Sequence, residues 1–342
     1  MDVRLSEEQQ ALRDAAAQAV DRLGPKTVAE LDDAGRTSRL EAAVSSAGWR
    51  ELRGADADGH APTASAVEAA LVAEELARGL ADVPFLGPTL AADLRRLAGA
   101  APSEAPETVV FAPDLSGPAR AVGGVAPAAV AVDAAGARRA LTLVPAVGGD
   151  LVAELVPGRA EPPLDLTRPA RASDPGAAPV PLVPGGVLGE EAVTRWSAFG
   201  LALTCADLVG VMRGAIALAC DYAAGRRQYD APVGSFQAVQ HLLADAHVAM
   251  EGSRSAALHA AWAVDALGAP EALAAGALSK AYCARAARDV CETVIQVHGG
   301  IGNTWDCLAH VYLRRALLST DLFGGVGTNL GRVLVDHGIG EA

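Results

Sequence analysis

The chain has 342 residues, of which 51% are hydrophobic but only 4% aromatic, and a formal net charge of −13. That length allows two or three domains with large cores, while the acidic balance argues against a nucleic-acid or anionic-membrane surface, which needs clustered Lys and Arg. Ala, Val and Leu carry the apolar fraction, and a core of small and straight-chain residues favours closely packed helices. Five cysteines, Cys205, Cys220, Cys283, Cys291 and Cys307, are odd in number and form no CxxC pair. They read as buried small hydrophobes in a reducing compartment, with neither a disulfide frame nor a zinc site. No metal is expected, because His241 and His247 lie six apart and share no helix face. Acids inside the N-terminal amphipathic stretch argue against a signal peptide, and no uninterrupted apolar run of about 18 residues marks a membrane span. The expectation is a cytoplasmic protein.

In chain order, Ser6 and Gln9 form a capping box that opens a first helix, which Gly24-Pro25 ends. A second helix covers about Ser38–Ser46. The Gly- and Asp-rich stretch Arg53–Gly59 precedes a third, about Thr63–Leu80. Pro84 and Pro88 separate that from a fourth, Thr89–Leu97. Residues 1–100 therefore form an α-helical N-terminal domain. From Ala101 to Gly189 proline and glycine are dense, and Thr108–Phe111, Ala128–Val132, Ala140–Val144 and Leu151–Leu155 read as strands. This is a reduced, antiparallel β domain whose edges Pro and charge blunt. Long helices return over Glu190–Arg226, Phe236–Leu267 and Pro270–Val297, with a pair after Trp305. Residues 190–342 read as an antiparallel helical bundle, and the fold class is α+β.

Two blocks carry chemistry. In the first, Tyr222–Gln237, Arg226 and Arg227 stand at a helix C-terminus, where they either cap the dipole or fork onto a phosphate. In the second, Gln296-Val-His-Gly-Gly-Ile-Gly302, the glycines either cap a helix or let the backbone approach a pyrophosphate. No strand precedes them and no GxGxxG or Gly-Lys-Ser/Thr occurs, so neither a Rossmann loop nor a P-loop fits.

Arg226-x-Gln-Tyr-x-x-Pro-Val-x-x-Phe-Gln237 resembles the "RxQFGxPIxxFQ" segment of acyl-CoA dehydrogenases. Gln296-Val-His-Gly-Gly-Ile-Gly302, with Asp306 and Arg314, resembles their "QxxGGxGxxxE…R" segment. Fainter echoes are Ala81–Leu97, like "PFLxTxLAxxLL", and Leu164-Asp-Leu-Thr-Arg-Pro169, like "LDLTR". The resemblance runs through nearly the whole chain in order. It implies helices, a β domain and a four-helix bundle, with FAD shared across a subunit interface. On that pattern Arg226 pairs with the pyrophosphate and Gln237 bonds the cofactor from the next helix. Gln296, Gly299 and Gly300 line the adenosine side, and Gln228 and Tyr229 occupy neighbouring contact positions.

The family reaction needs a glutamate beside the substrate α carbon. The two positions that supply it fall here on Phe323 and Gly200, and neither is acidic. Asp207 is a poor substitute, because two residues turn a helical side chain by about 200°. Asp321 is the remaining candidate base, although a helix N-cap at Asp321 or Thr320 is its commoner role. The flavin-ring segment "TEPxAGSD" has no counterpart between Ala101 and Gly189. These losses, with Tyr312-Leu-Arg-Arg-Ala316 in place of "YRDA", resemble the short, non-catalytic subunit of actinobacterial heteromeric acyl-CoA dehydrogenases. The resemblance implies an α2β2 hetero-oligomer in which a second subunit supplies the Glu, acting on bulky acyl-CoA thioesters such as those of steroid degradation. Two alternatives stand beside it: a homo-oligomeric dehydrogenase with an unusual base, and a structural paralogue that binds no FAD. Trp196 and Trp305 read as packing residues, Trp305 lying near the glycine turn, and His298 as bonded to a helix-end carbonyl.

Overall fold

The computed structural model describes residues 4–339 except 57–60, 124, 126–127, 161–162 and 175. Helix α1 (Glu7–Leu23) opens on the expected box: Gln9 N donates to Ser6 Oγ at 3.1 Å, and Ser6 N donates to Gln9 Oε1 at 3.1 Å. Helix α2 (Ala34–Ser46) begins earlier than its apolar pattern indicated, because Asp33 caps it by accepting from Arg36 N. Part of the Arg53–Gly59 stretch, residues 57–59, lies outside the described residues. Helix α3 (Ala66–Arg78) has a second capping box, Ser65 with Glu68. Helix α4 (Leu86–Leu97) starts ahead of Pro88 and not at Thr89. Its first N–H groups, those of Phe85 and Gly87, donate to the carboxylate of Asp133 at 2.7 and 3.3 Å. A cap supplied from a distant part of the chain leaves no local signal.

The strands are β1 (Glu107–Phe111), β2 (Val130–Ala131), β3 (Arg139–Ala146), β4 (Gly149–Leu155), β5 (Pro157–Ala160), β6 (Arg171–Ser173), β7 (Val180–Pro181) and β8 (Val187–Leu188). They form one sheet in the order β5-β6-β2-β1-β3-β4-β7, with β8 also on β4. The expected all-antiparallel pairing is corrected at its centre, where β1 runs parallel to β3. β2 and β3 flank β1 on opposite sides, so the chain crosses over after β2 and re-enters in the direction of β1. Pro157 and Pro181 sit in the strands at the two ends of that order, where the missing N–H breaks no ladder.

Helices α5 (Glu190–Gly225), α6 (Gln237–Ala266), α7 (Ala269–His298), α8 (Ala309–Asp321) and α9 (Val326–Asp336) follow. α5 is the hub, packing against α3, α6, α7 and α8. Gly210 and Gly214 allow this: a Cβ on Gly210 would lie 2.1 Å from Glu74 O, and one on Gly214 2.3 Å from Arg78 O. Only glycines one turn apart let the α3 backbone come that close. α5 has the length and apolarity of a membrane span by composition alone, but 83% of its most apolar window is buried inside the fold. Of the cysteines, Cys220 is exposed and the other four are buried, all as free thiols.

A buried ionic cluster joins the segment between β5 and β6 to α5 and α8. In the Leu164–Pro169 segment, Arg168 Nε donates to Asp165 at 2.7 Å and its Nη2 to Ser319 Oγ at 2.6 Å. Arg315 donates to Asp207 Oδ1 through Nε at 3.1 Å and Nη2 at 2.7 Å, and Ser319 Oγ donates to Asp207 Oδ2 at 2.6 Å. Burial alone would raise the Asp207 carboxyl, yet Arg168 and Arg315 hold it below the ordinary range. Asp207 is thus committed to the interior.

Candidate functional site

The two motif blocks meet at one end of the bundle. α5 stops at Gly225, and a hairpin of β9 (Arg227–Gln228) and β10 (Ala231–Pro232) leads to α6. Its turn residues Tyr229 and Asp230 have φ of 50° and 59°, the doubly left-handed turn usually given to Asn-Gly. The second block ends α7 on the same side, where the His298 ring stacks on Tyr222 with centroids 4.5 Å apart. His298 Nδ1 bonds the Val294 carbonyl at 2.8 Å, the helix-end role expected for it.

Around this corner the expected residues are exposed. Arg227 Nη2 donates to Asp230 O and holds the hairpin, leaving Arg226 as the guanidinium with no side-chain partner among the described residues. Gln228 Nε2 donates to the Arg227 carbonyl at 2.8 Å, and Tyr229, 92% exposed, meets Phe236 edge to face at 6.4 Å. Gln237 opens α6, and Gln296 lies on the last turn of α7. Gly299 has φ 66° and ψ −145°, a conformation only glycine adopts easily. A Cβ on Gly299 or on Gly300 would meet nothing within 4 Å. The corner therefore offers a free cation and bare backbone to an anionic ligand, which is what a dinucleotide pyrophosphate requires. Trp305 is not a packing residue: it is 64% exposed, with Arg314 over its ring at 5.9 Å.

The other half of the pattern is filled. Gly200 and Phe323, the two base positions, touch: a Cβ on Gly200 would lie 2.0 Å from Phe323 Cζ. The Phe323 ring is 1% exposed and packs edge-on to Phe111 at 5.0 Å and against Trp196 at 5.6 Å. Trp196 is fixed in turn by its Nε1–H bond to Leu90 O at 3.0 Å, so it is a packing residue as expected. Sequence reading did not find what holds Phe323 in place. Its φ of 59° is strained for a non-glycine residue. Donors from three side chains gather on the carbonyls around it. Lys280 Nζ, fully buried, bonds the carbonyls of Thr320, Leu322 and Gly324. Asn329 Nδ2 bonds Gly324 O at 2.7 Å, and Arg332 Nη1 bonds Phe323 O at 2.7 Å. A lysine in the middle of an alanine-rich helix carries no local sign that it will cap another helix.

Asp321 is exposed and is the last residue of α8, and α9 is capped at Gly325, which corrects the N-cap expected at Asp321 or Thr320. Its charge favours the Lys280 ammonium. A cavity of about 770 Å³ lies elsewhere, between α2, α4 and residues 133–137. Its guanidiniums are already paired, Arg50 with Glu41, Arg95 with Glu107 and Arg96 with Asp93. That leaves none free for the phosphates of a CoA thioester.

Residues 197–329 match the family model described as "Acyl-CoA dehydrogenase, C-terminal domain". The chain is 30% identical to acyl-CoA dehydrogenase IpdE2 of Mycobacterium tuberculosis over 269 residues, 75% of this chain and 73% of that protein. In fold it superposes on a variant of the Tcur3481-Tcur3483 steroid ACAD with TM-score 0.79, 21% identity and coverage of 97% and 98% of the two chains. It superposes as well on the ChsE4-ChsE5 complex from Mycobacterium tuberculosis, with TM-score 0.76, 23% identity and full coverage of both. Two motif blocks brought to one corner, and a family match along most of the length, lead to one conclusion: the chain belongs to the acyl-CoA dehydrogenase family.

Proposed function

We propose that this chain is a subunit of an FAD-dependent acyl-CoA dehydrogenase, contributing the pyrophosphate and adenosine side of the cofactor site while a second subunit supplies the catalytic Glu. The observation that carries the reading is the contrast between the two halves. At the corner of Arg226, Gly299 and Gly300 the surface is open, and at Gly200 the Phe323 ring takes the room a carboxylate and an acyl chain would need. A proton cannot be removed from a thioester by a phenyl ring, and Asp321 stands exposed at the end of α8, so in this reading the base comes from another chain. FAD, when bound, supplies hydride acceptance. This chain's part is to hold its phosphates with Arg226 and its adenosine end beside Gln296, with Gln228, Tyr229 and Gln237 around them. The fold neighbours include two that are named as pairs, Tcur3481-Tcur3483 and ChsE4-ChsE5, which favours a hetero-oligomer over a homo-oligomer. The steroid name of one favours a bulky acyl-CoA as substrate.

Co-expression with a longer dehydrogenase subunit carrying the Glu tests this. The expected outcome is a yellow complex that dehydrogenates acyl-CoA, with the lone chain inactive. Arg226→Ala in the complex should lower FAD affinity roughly 10-fold or more, the loss of one or two charge-assisted bonds of about 1.5–3 kcal/mol each. A lone chain that turns over acyl-CoA, or an Arg226→Ala complex with unchanged FAD affinity, would defeat the assignment.

A further inference from the structure

We propose that a void between α3, α5, α8 and the loops that carry Asp133 and Arg168 is a binding site for a single resident water, which bridges Asp133 to Arg168 and completes the ionic cluster there. The void measures about 10 Å³, about the room one water needs. Leu76 and Phe85 are among its apolar lining, and Asp133, Arg168, Asp207 and Arg315 supply its charged groups. Two polar atoms there are enclosed and have no hydrogen-bond partner, Asp133 Oδ1 and Arg168 Nη1. Asp133 is otherwise engaged through Oδ2, which caps α4. Arg168 is engaged through Nε and Nη2, and its Nη1 faces Asp207 Oδ2 at 3.4 Å without forming a hydrogen bond.

Orphaned polar atoms in a dry pocket are rare, and a buried water with two to four polar partners is their usual complement. Here the pair is a guanidinium donor and a carboxyl oxygen, and a water joins them by accepting from one and bonding the other. The wider cluster has three carboxyl groups, Asp133, Asp165 and Asp207, against two guanidiniums, Arg168 and Arg315. Burial raises the Asp133 carboxyl above its ordinary range, against the pull of Arg168 and Arg315. A water serves Asp133 in either form, because it both donates and accepts. It also ties the residue that caps α4 to the segment that grips α8, through a path neither side chain makes alone.

This inference is independent of the proposed function and is tested on the full chain. A high-resolution crystal structure should show one water peak within about 2.7–3.2 Å of both atoms. In solution, water-oxygen magnetic relaxation dispersion should count one fewer long-lived water in Asp133→Leu than in Asp133→Asn, whose amide keeps the bridge. An ordered map with an empty void, a direct Asp133–Arg168 contact in its place, or equal water counts in the two variants overturns the proposal. Should Asp133→Leu fail to fold, the crystal map of the unmodified protein decides alone.

Discussion

Phe323 and Gly200 show how two single positions together close a site. A phenyl ring on a left-handed backbone is costly, and it persists because Lys280, Asn329 and Arg332 hold the surrounding carbonyls. Phe323→Ala should lower stability by about 3–5 kcal/mol, as expected when a large aromatic leaves a packed core, without conferring activity. Chemical denaturation and an acyl-CoA assay read the two outcomes, and a gain of turnover would mean that the ring alone blocks the site. Lys280 makes a second prediction. Burial pushes its pKa down from 10.5 to about 8. Between those values the unfolded chain holds a proton that the folded chain has released, so stability from this group rises with pH across that window. Below pH about 8 the buried charge weighs on the fold in full. Denaturant midpoints measured across the window should climb less in Lys280→Met than in the parent. Parallel pH profiles would show that Lys280 does not titrate there.

At the scale of elements, the approach of α3 to α5 depends on Gly210 and Gly214. Gly210→Val would drive a branched side chain into the α3 backbone, an overpacking of about 1–3 kcal/mol or more. A lower thermal midpoint with helix content retained is the expected result, and an unchanged midpoint would mean that the helices separate freely. The cluster around Asp207 joins α5, α8 and the 165–168 segment. Asp207→Asn would strand the charges of Arg315 and Arg168, a loss of about 3–5 kcal/mol when one partner of a buried pair is removed. Urea unfolding measures it, and a change below about 1 kcal/mol would show that water reaches the cluster. This cluster also explains why Asp207 is unsuited to act as a base: both its oxygens are occupied.

For the whole molecule, the periodic helices and the Ser6–Gln9 capping box were legible, because their causes lie within a few residues of each other. The start of α4 and the pairing of the sheet were set from outside, whereas α2 starts early on a local cap, Asp33. α4 begins early because Asp133 caps it, and the sheet is mixed because β2 and β3 flank β1 on opposite sides. The corner residues Arg226, Gln296, Gly299 and Gly300 could be read as motif letters, but their joint exposure at one bundle end follows from α5 and α7 terminating together through Tyr222 and His298. The sequence by itself determined the family, the order of helices and strands, and the loss of an acid at positions 200 and 323, since each is a matter of residue type and spacing along the chain. Only the tertiary structure decided that the two lost positions touch, that one ring fills them, and that a lysine from α7 secures it. Contacts between residues forty to more than a hundred positions apart depend on how whole helices pack, and no local pattern records that.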